Sequence, residues 1–365
     1  MNTSLSIKNI AVLPGDGIGP EVMQAAIEVL NAVACKAQVK FNYSYGLIGG
    51  AAYDKYNNHF PEQTRSICAQ NEAILFGSVG GPVKDYLLPK WNNCEANSLL
   101  ALRQAFNFNI NLRKANIFAE LAELSPLKNH LVNQGLDIII FRELLGDIYF
   151  GKHVLELSSS PKVASDVATY TEAQIASISH FAFKTARLRK KKLVSVDKAN
   201  VLATSKLWRL IVQEIAQQYP DVQLQHMLVD NCAMQLIANP GQFDVILTAN
   251  LFGDILSDEL SMLSGSLGMM PSASFNADGF ALYEPAGGSA PDIAGKNIAN
   301  PIAQILSAAL MLDHSFNLPT EAQLINQAIK KTLISGFRTA DLVTANSNCT
   351  VVGTKEFTAQ VIANL

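Results

Sequence analysis

The chain has 365 residues, 28 Lys+Arg against 31 Asp+Glu for a net charge of −3, and only 16% charged against 49% hydrophobic residues. That balance excludes a disordered chain and argues against a nucleic-acid partner, which needs a basic face. No apolar run approaches the roughly 18 residues of a membrane span, so no membrane association is expected.

The length suggests two domains or one large one, and the low charge density suggests a large core with a buried subunit interface. Met1–Ile10 has neither a basic nor an apolar leader segment, so nothing marks it for export. Ile10–Leu13 reads as the first buried strand, followed by a helical pattern over Glu21–Ala34. Between them, Pro14-Gly-Asp-Gly-Ile-Gly-Pro20 tempts a dinucleotide reading. It fails that fingerprint: Pro20 stands where the last glycine belongs, and Asp16 would face a pyrophosphate. Ala73–Phe76 is a second strand, ending in the glycine-rich Gly77–Pro82, and Leu136–Phe141 is a third. Gly151–Tyr170 shows no helical period and reads as a β-hairpin or arm, either a surface excursion or a segment that pairs with another subunit.

Capping boxes at Thr171–Gln174 and Thr320–Gln323 predict helix starts. The basic run Arg187–Lys192 fits a helix C-terminus, where cations complement the dipole. Leu193–Val196, Met227–Val229 and Val245–Thr248 complete the strands, and the alternation implies an α/β fold with a mixed or parallel sheet. The five cysteines form no C-x-x-C pair and the six histidines no H-x-x-x-H pair, which argues against disulfide frameworks and zinc. A reduced cytoplasm is the expected compartment.

Chemistry concentrates after Val245–Thr248. Asp254 and Asp258 are spaced i, i+4, hence on one helical face, where two carboxylates repel unless a cation lies between them. Oxygen-only donors suit a hard divalent ion, Mg²⁺ or Mn²⁺; a solvated acidic helix start is the equally weighted alternative. Arg103, Arg113 and Arg142 each sit at the edge of an apolar segment. Converging, they would hold a polycarboxylate through bidentate forks, although each alone reads as an ordinary paired arginine. Tyr149 and Lys198 are candidate acid–base groups.

These motifs together resemble the isocitrate/isopropylmalate family of β-decarboxylating dehydrogenases, most closely its isopropylmalate branch. The matching segments include Leu13–Glu21, Leu99–Arg103, Asn111–Arg113, Arg142-Glu143 with Tyr149–Gly151, Val196–Leu202, Asp230-Asn231, Asn250–Gly268 and Glu284–Pro301, from the first strand to about residue 340. The resemblance implies a two-domain α/β fold with a mixed sheet, not a Rossmann fold. One domain would comprise 1–109 and 266–365, binding the cofactor, and the other an inserted 110–265 through which a homodimer forms, with the β-arm at the interface. It implies oxidation of 3-isopropylmalate by NAD and loss of CO₂, in leucine biosynthesis. Asp230, Asp254 and Asp258 would hold the Mg²⁺ or Mn²⁺, with Asp230 also reaching the substrate. Arg103, Arg113 and Arg142 would clamp carboxylates, Lys198 act as base, and Tyr149 as acid. Active sites would be shared, Lys198 and Asp230 arriving from the second subunit.

Isocitrate-type members place Ser and Asn six and four residues before the first clamp arginine, where this chain has Asn97 and Leu99. Leu99 and Leu100 therefore point to an isopropyl side group, and Glu95 would repel a third carboxylate. Gly287, Gly288, Ser289, Ala290 and Pro291 would approach the adenosine, Asp292 would accept from the free ribose hydroxyls of NAD, and Asn300 would address the adenine. Two departures from the family pattern stand out. Leu145 and Asp147 replace Thr and Gly beside Tyr149, and Ala340 replaces a Gly. Isocitrate, homoisocitrate and tartrate/malate dehydrogenases remain rivals within the class, and a non-catalytic regulatory homologue outside it.

Overall fold

A computed structural model describes residues 6–133, 135–345 and 347–365. In chain order its strands are β1 (Ser6–Gly15), β2 (Val39–Tyr45), β3 (Ala73–Ser78), β4 (Ile110–Asn116), β5 (Asp137–Glu143), β6 (His153–Glu156), β7 (Val163–Asp166), β8 (Lys192–Asp197), β9 (Gln223–Leu228), β10 (Val245–Thr248), β11 (Pro271–Phe275) and β12 (Ala281–Pro285), followed by a short pair, Phe337–Arg338 with Thr350–Val351. Ten of them form one sheet in the order β2-β1-β3-β12-β11-β4-β5-β10-β8-β9. Two parallel blocks, β2-β1-β3-β12 and β5-β10-β8-β9, are joined through the antiparallel pairs β12–β11, β11–β4 and β4–β5. This is the expected α/β fold with a mixed sheet, and its strand order is not a Rossmann arrangement. Strands from 110–265 (β4, β5, β8, β9, β10) all lie on one side of the β4–β11 contact, the other five on the opposite side.

The expected strands appear where continuous apolar runs are covered on both faces, as parallel pairing under flanking helices requires. Ile10 to Leu13 and Val245 to Leu247 are fully buried. Leu136 and Val229 fall outside their expected strands: β5 begins at Asp137, β9 ends at Leu228, and Val229 opens the helix Val229–Ala238. The Pro14–Pro20 segment is a tight brace, with Gly15 and Gly17 at φ 71° and 59°. A Cβ on Gly15 would come within 1.9 Å of the Ser78 carbonyl oxygen. Asp16 accepts from the backbone N–H groups of Gly50, Ala51 and Gly80, so its carboxylate holds loops together.

The Thr171 capping box forms at the start of the helix Glu172–Leu188. The Thr320 box does not: that helix runs Pro319–Ile334 with Leu318 as N-cap. Proline preset for the first helical position starts the helix two residues early and places Thr320 inside its first turn. The arm is a separate hairpin of β6 and β7, with Leu155 and Val163 exposed. The basic run is largely consumed by ion pairs: Arg187 with Asp221, and Arg189 with Asp137 and Asp244. The apolar stretch after Pro301 forms a buried core helix, Ile302–His314, and no helix among the described residues is long and apolar enough to cross a membrane.

Candidate active site

Register brings the arginines together. Asn111 and Arg113 alternate onto one face of β4, and Asn111 lies directly opposite Arg142 on β5, so all three side chains share a face. The helix Asn250–Leu263, entered directly from β10, packs there. The helix over 94–105, following the β3 loop, supplies Arg103 from another direction. These elements enclose a cavity of about 320 Å³, lined by Glu95, Leu99, Leu100, Arg103, Arg113, Arg142, Tyr149, Asp254 and Asp258, by Glu284 from β12, and by Gly287 and Gly288 beyond it.

Each guanidinium is almost fully buried and each is paired, as buried charge requires. Arg103 binds Glu284 at 3.0 Å. Arg113 donates to Asn111 (3.2 Å), Ser257 (2.8 Å) and Asp258 (3.0 Å), and its other Nη lies 3.7 Å from Asp254. Arg142 donates through Nε to Asn250 at 3.0 Å and through Nη1 to Asp254. The cation that relieves repulsion between Asp254 and Asp258 in this chain is thus Arg113, which spans both. Asp254 lies on the cavity wall, bonded from two sides, and so is not a solvated carboxylate, whereas the Asp258 side chain stays largely exposed.

Electrostatics divides the roles. Burial by itself would raise the Asp254 carboxyl, but Arg142, the Tyr149 hydroxyl, Arg113 and Arg103 together hold it below the ordinary carboxylate range. It is ionised at neutral pH and available as a metal donor. Tyr149 donates to Asp254 at 2.7 Å. Burial, then that bond to an anion, pushes its phenol up to about 12, so it retains its proton. Burial and then Arg113 draw Arg142 down to about 10, which still leaves it charged.

Lys198 and Asp230 are elsewhere. They bond to each other at 2.8 Å, Lys198 just beyond the end of β8 and Asp230 in the first turn of the helix Val229–Ala238, and neither lines the cavity. The Lys198 ammonium lowers the Asp230 carboxyl below its ordinary value. No cluster of three His, Cys, Asp or Glu side chains gathers among the described residues. Asp254 and Asp258 are nonetheless a fitting donor pair for Mg²⁺ or Mn²⁺, since such ions are commonly held by one or two carboxylates plus water and substrate oxygens.

Several contributors escaped sequence reasoning. Residues Ala96–Leu100 form a π-helical turn in which the Ala101 N–H reaches the Ala96 carbonyl. Glu95, Leu99 and Leu100 on and beside that turn line the cavity, and π turns recur at functional sites. No compositional signal marks it. Glu284 and Asn111 had a signal: a charged and a polar residue within otherwise buried strands.

The family model for isocitrate/isopropylmalate dehydrogenases matches residues 9–361. The chain belongs to that family. Among curated members of this dehydrogenase family, the 3-isopropylmalate dehydrogenase of Geobacillus kaustophilus is 52% identical over 359 residues, spanning 96% of this chain and 94% of that protein. That of Bacillus licheniformis is 50% identical over 365 residues, spanning 98% and 96%. The crystal structure of isocitrate dehydrogenase from Methylococcus capsulatus superposes with a TM-score of 0.84 at 33% identity, covering 98% of this chain and 99% of that one. The family's dehydrogenase chemistry therefore frames the site.

Gly287 and Gly288 border both the large cavity and a small adjoining one that Asn300 also lines. Ser289 is buried, and its carbonyl accepts from the Ile18 N–H at 2.8 Å. Ala290 takes a left-handed conformation, φ 38°, before the short turn Pro291–Ile293. Asp292 is exposed and makes no hydrogen bond among the described residues, so it does not cap that turn. Asn300 is engaged: it accepts from Ile302 N–H and donates to Asp341.

Proposed function

We propose that this chain oxidises the C2 hydroxyl of (2R,3S)-3-isopropylmalate with NAD⁺ and releases CO₂ to give 4-methyl-2-oxopentanoate, a step of leucine biosynthesis. The observation that carries this reading is one cavity holding three buried arginines beside two leucines. The arginines suit a dicarboxylate, and the leucines suit an apolar side group.

In this reading Arg103, Arg113 and Arg142 exchange their present carboxylate partners for those of the substrate and fix its orientation. Leu99 and Leu100 cover the isopropyl group. Asp254 and Asp258, with the partner subunit's Asp230, hold the divalent ion. When bound, Mg²⁺ or Mn²⁺ supplies a Lewis acid for the substrate hydroxyl, and NAD⁺ supplies the hydride acceptor. The partner subunit's Lys198, acting as the free amine after giving up a proton, takes the hydroxyl proton. Tyr149, kept protonated by its surroundings, donates to the carbon from which CO₂ has left. Asp292, exposed at the end of the Gly287–Pro291 loop, accepts from the ribose hydroxyls and disfavours a 2′-phosphate.

Two domains, 1–109 with 266–365 and the inserted 110–265, are part of the proposal, and the division of the sheet at the β4–β11 contact supports them. A homodimer is supported by the large apolar side chains that the inserted part exposes: Met234, Ile237, Ile255 and Met262 on two helices and Leu155 on the arm. The separation of Lys198 and Asp230 from the cavity supports sharing of sites between subunits. Five unpaired cysteines suit the cytoplasm.

Turnover tests the proposal: NADH and CO₂ formed from 3-isopropylmalate with Mn²⁺, lost on chelation and restored on adding the ion back. A chain that binds 3-isopropylmalate without forming NADH would refute it and favour a non-catalytic homologue.

A further inference from the structure

Asp147 occupies a backbone conformation that belongs to glycine, φ 72° and ψ −163°. An L side chain persists there only when its surroundings over-determine it. Here they do. Its N–H donates to the Thr169 carbonyl at 3.0 Å, Oδ1 accepts from Ile148 N–H at 2.9 Å, and Oδ2 accepts from Leu251 N–H at 3.1 Å.

The last contact solves a problem of the helix Asn250–Leu263. First-turn N–H groups have no partner within a helix, and the N-cap residue here is Ala249, which has no side chain to accept from them. Asn250 N–H goes to the Tyr170 hydroxyl at 2.8 Å; Leu251 N–H goes to Asp147, from 104 positions away in sequence. That helix carries Asp254 one turn further on, and Asp147 lies two residues before Tyr149, whose hydroxyl donates to Asp254 at 2.7 Å. One carboxylate therefore joins the Tyr149 turn to the helix bearing its partner.

We infer that Asp147 is a positioning residue: by capping the short turn at Ile148 and the Asp254 helix together, it sets the Tyr149–Asp254 geometry. This rests on the functional reading above in which Tyr149 is the acid. Asp147→Gly removes both acceptances while relieving the backbone conformation. Asp147→Asn keeps one carbonyl acceptor and replaces the other oxygen with a donor.

The test combines steady-state kinetics with amide exchange on the substrate-free chain. Asp147→Gly should lower kcat by about 10- to 100-fold, the cost of a small misplacement of reacting groups, with the KM for 3-isopropylmalate within about threefold. Asp147→Asn should fall between Gly and the unaltered chain. Exchange at the Leu251 amide should quicken at least about tenfold in Asp147→Gly, as expected when a hydrogen bond is lost. Unaltered kcat in either variant overturns the inference, as does a raised KM with kcat kept, and Asp147→Asn decides alone if the Gly variant does not fold. No turnover by the unaltered chain would sink the functional reading instead, while the amide exchange would still report the cap.

Discussion

Glu143 closes β5 with both carboxyl oxygens occupied: Oε1 accepts from Leu145 N–H at 3.0 Å and Oε2 from Gly146 N–H at 2.6 Å. It is fully buried. Burial outweighs those donors and lifts its carboxyl from 4.5 to about 7. A folded-state value above the unfolded one means that the folded chain holds a proton the unfolded chain releases. The resulting stabilisation is complete below pH 4.5 and is lost as pH rises through 7. At 1.36 kcal/mol per unit the window holds about 3 kcal/mol. Glu143→Gln does not titrate, so its stability relative to the parent should rise by about 2–3 kcal/mol between pH 5 and pH 8. Guanidinium unfolding of both proteins at matched concentration across that range reads the difference directly. A difference that stays flat would refute the argument. One that moves the other way would mean that the two backbone donors keep the carboxylate ionised in the fold.

The remaining predictions address the candidate site. Leu100→Ala should cost on the order of 2 kcal/mol, about 30-fold in kcat/KM for 3-isopropylmalate; malate, which lacks the side group, should be little affected, and equal losses on both would dismiss the pocket. Catalytic efficiency with NAD⁺ should exceed that with NADP⁺ by at least about 100-fold, as repulsion of a phosphate dianion by Asp292 implies, and Asp292→Lys should narrow the gap. Inactive Lys198→Ala and Asp254→Ala chains, mixed under conditions that exchange subunits, should regain activity because each heterodimer contains one site with both residues. No recovery despite demonstrated exchange would place each site within a single chain.

The sheet was legible because buried parallel strands are largely apolar runs: Ile10–Leu13 and Val245–Leu247 are continuous, and only Ser195 interrupts Leu193–Val196. The helix start at Pro319 was misread because a Thr-x-x-Gln spacing looks the same whether threonine caps the helix or already lies within it. The cavity's cast was likewise legible by type, since Arg103, Arg113, Arg142, Asp254 and Asp258 are charged residues set beside apolar ones. Their pairing was not legible. That Arg113 rather than a solvated gap lies between the two aspartates depends on the β4–β5 register, which long-range pairing decides. The π turn at Ala96–Leu100 and the cap supplied by Asp147 also depend on tertiary contacts, which local pattern does not encode.

The central claim is that this cavity takes a malate bearing an apolar side group. The most direct measurement is the ratio of kcat/KM for 3-isopropylmalate to that for isocitrate, both with NAD⁺ and Mn²⁺ and with the 2-oxo acid product identified. In the proposed reading Leu99 and Leu100, which line the cavity, would cover an isopropyl group and leave a third carboxylate without a partner, a cost of several kcal/mol. The account therefore predicts a ratio above about 100, at 1.36 kcal/mol per tenfold, with 4-methyl-2-oxopentanoate as product. A ratio near one, or isocitrate preferred, would contradict it.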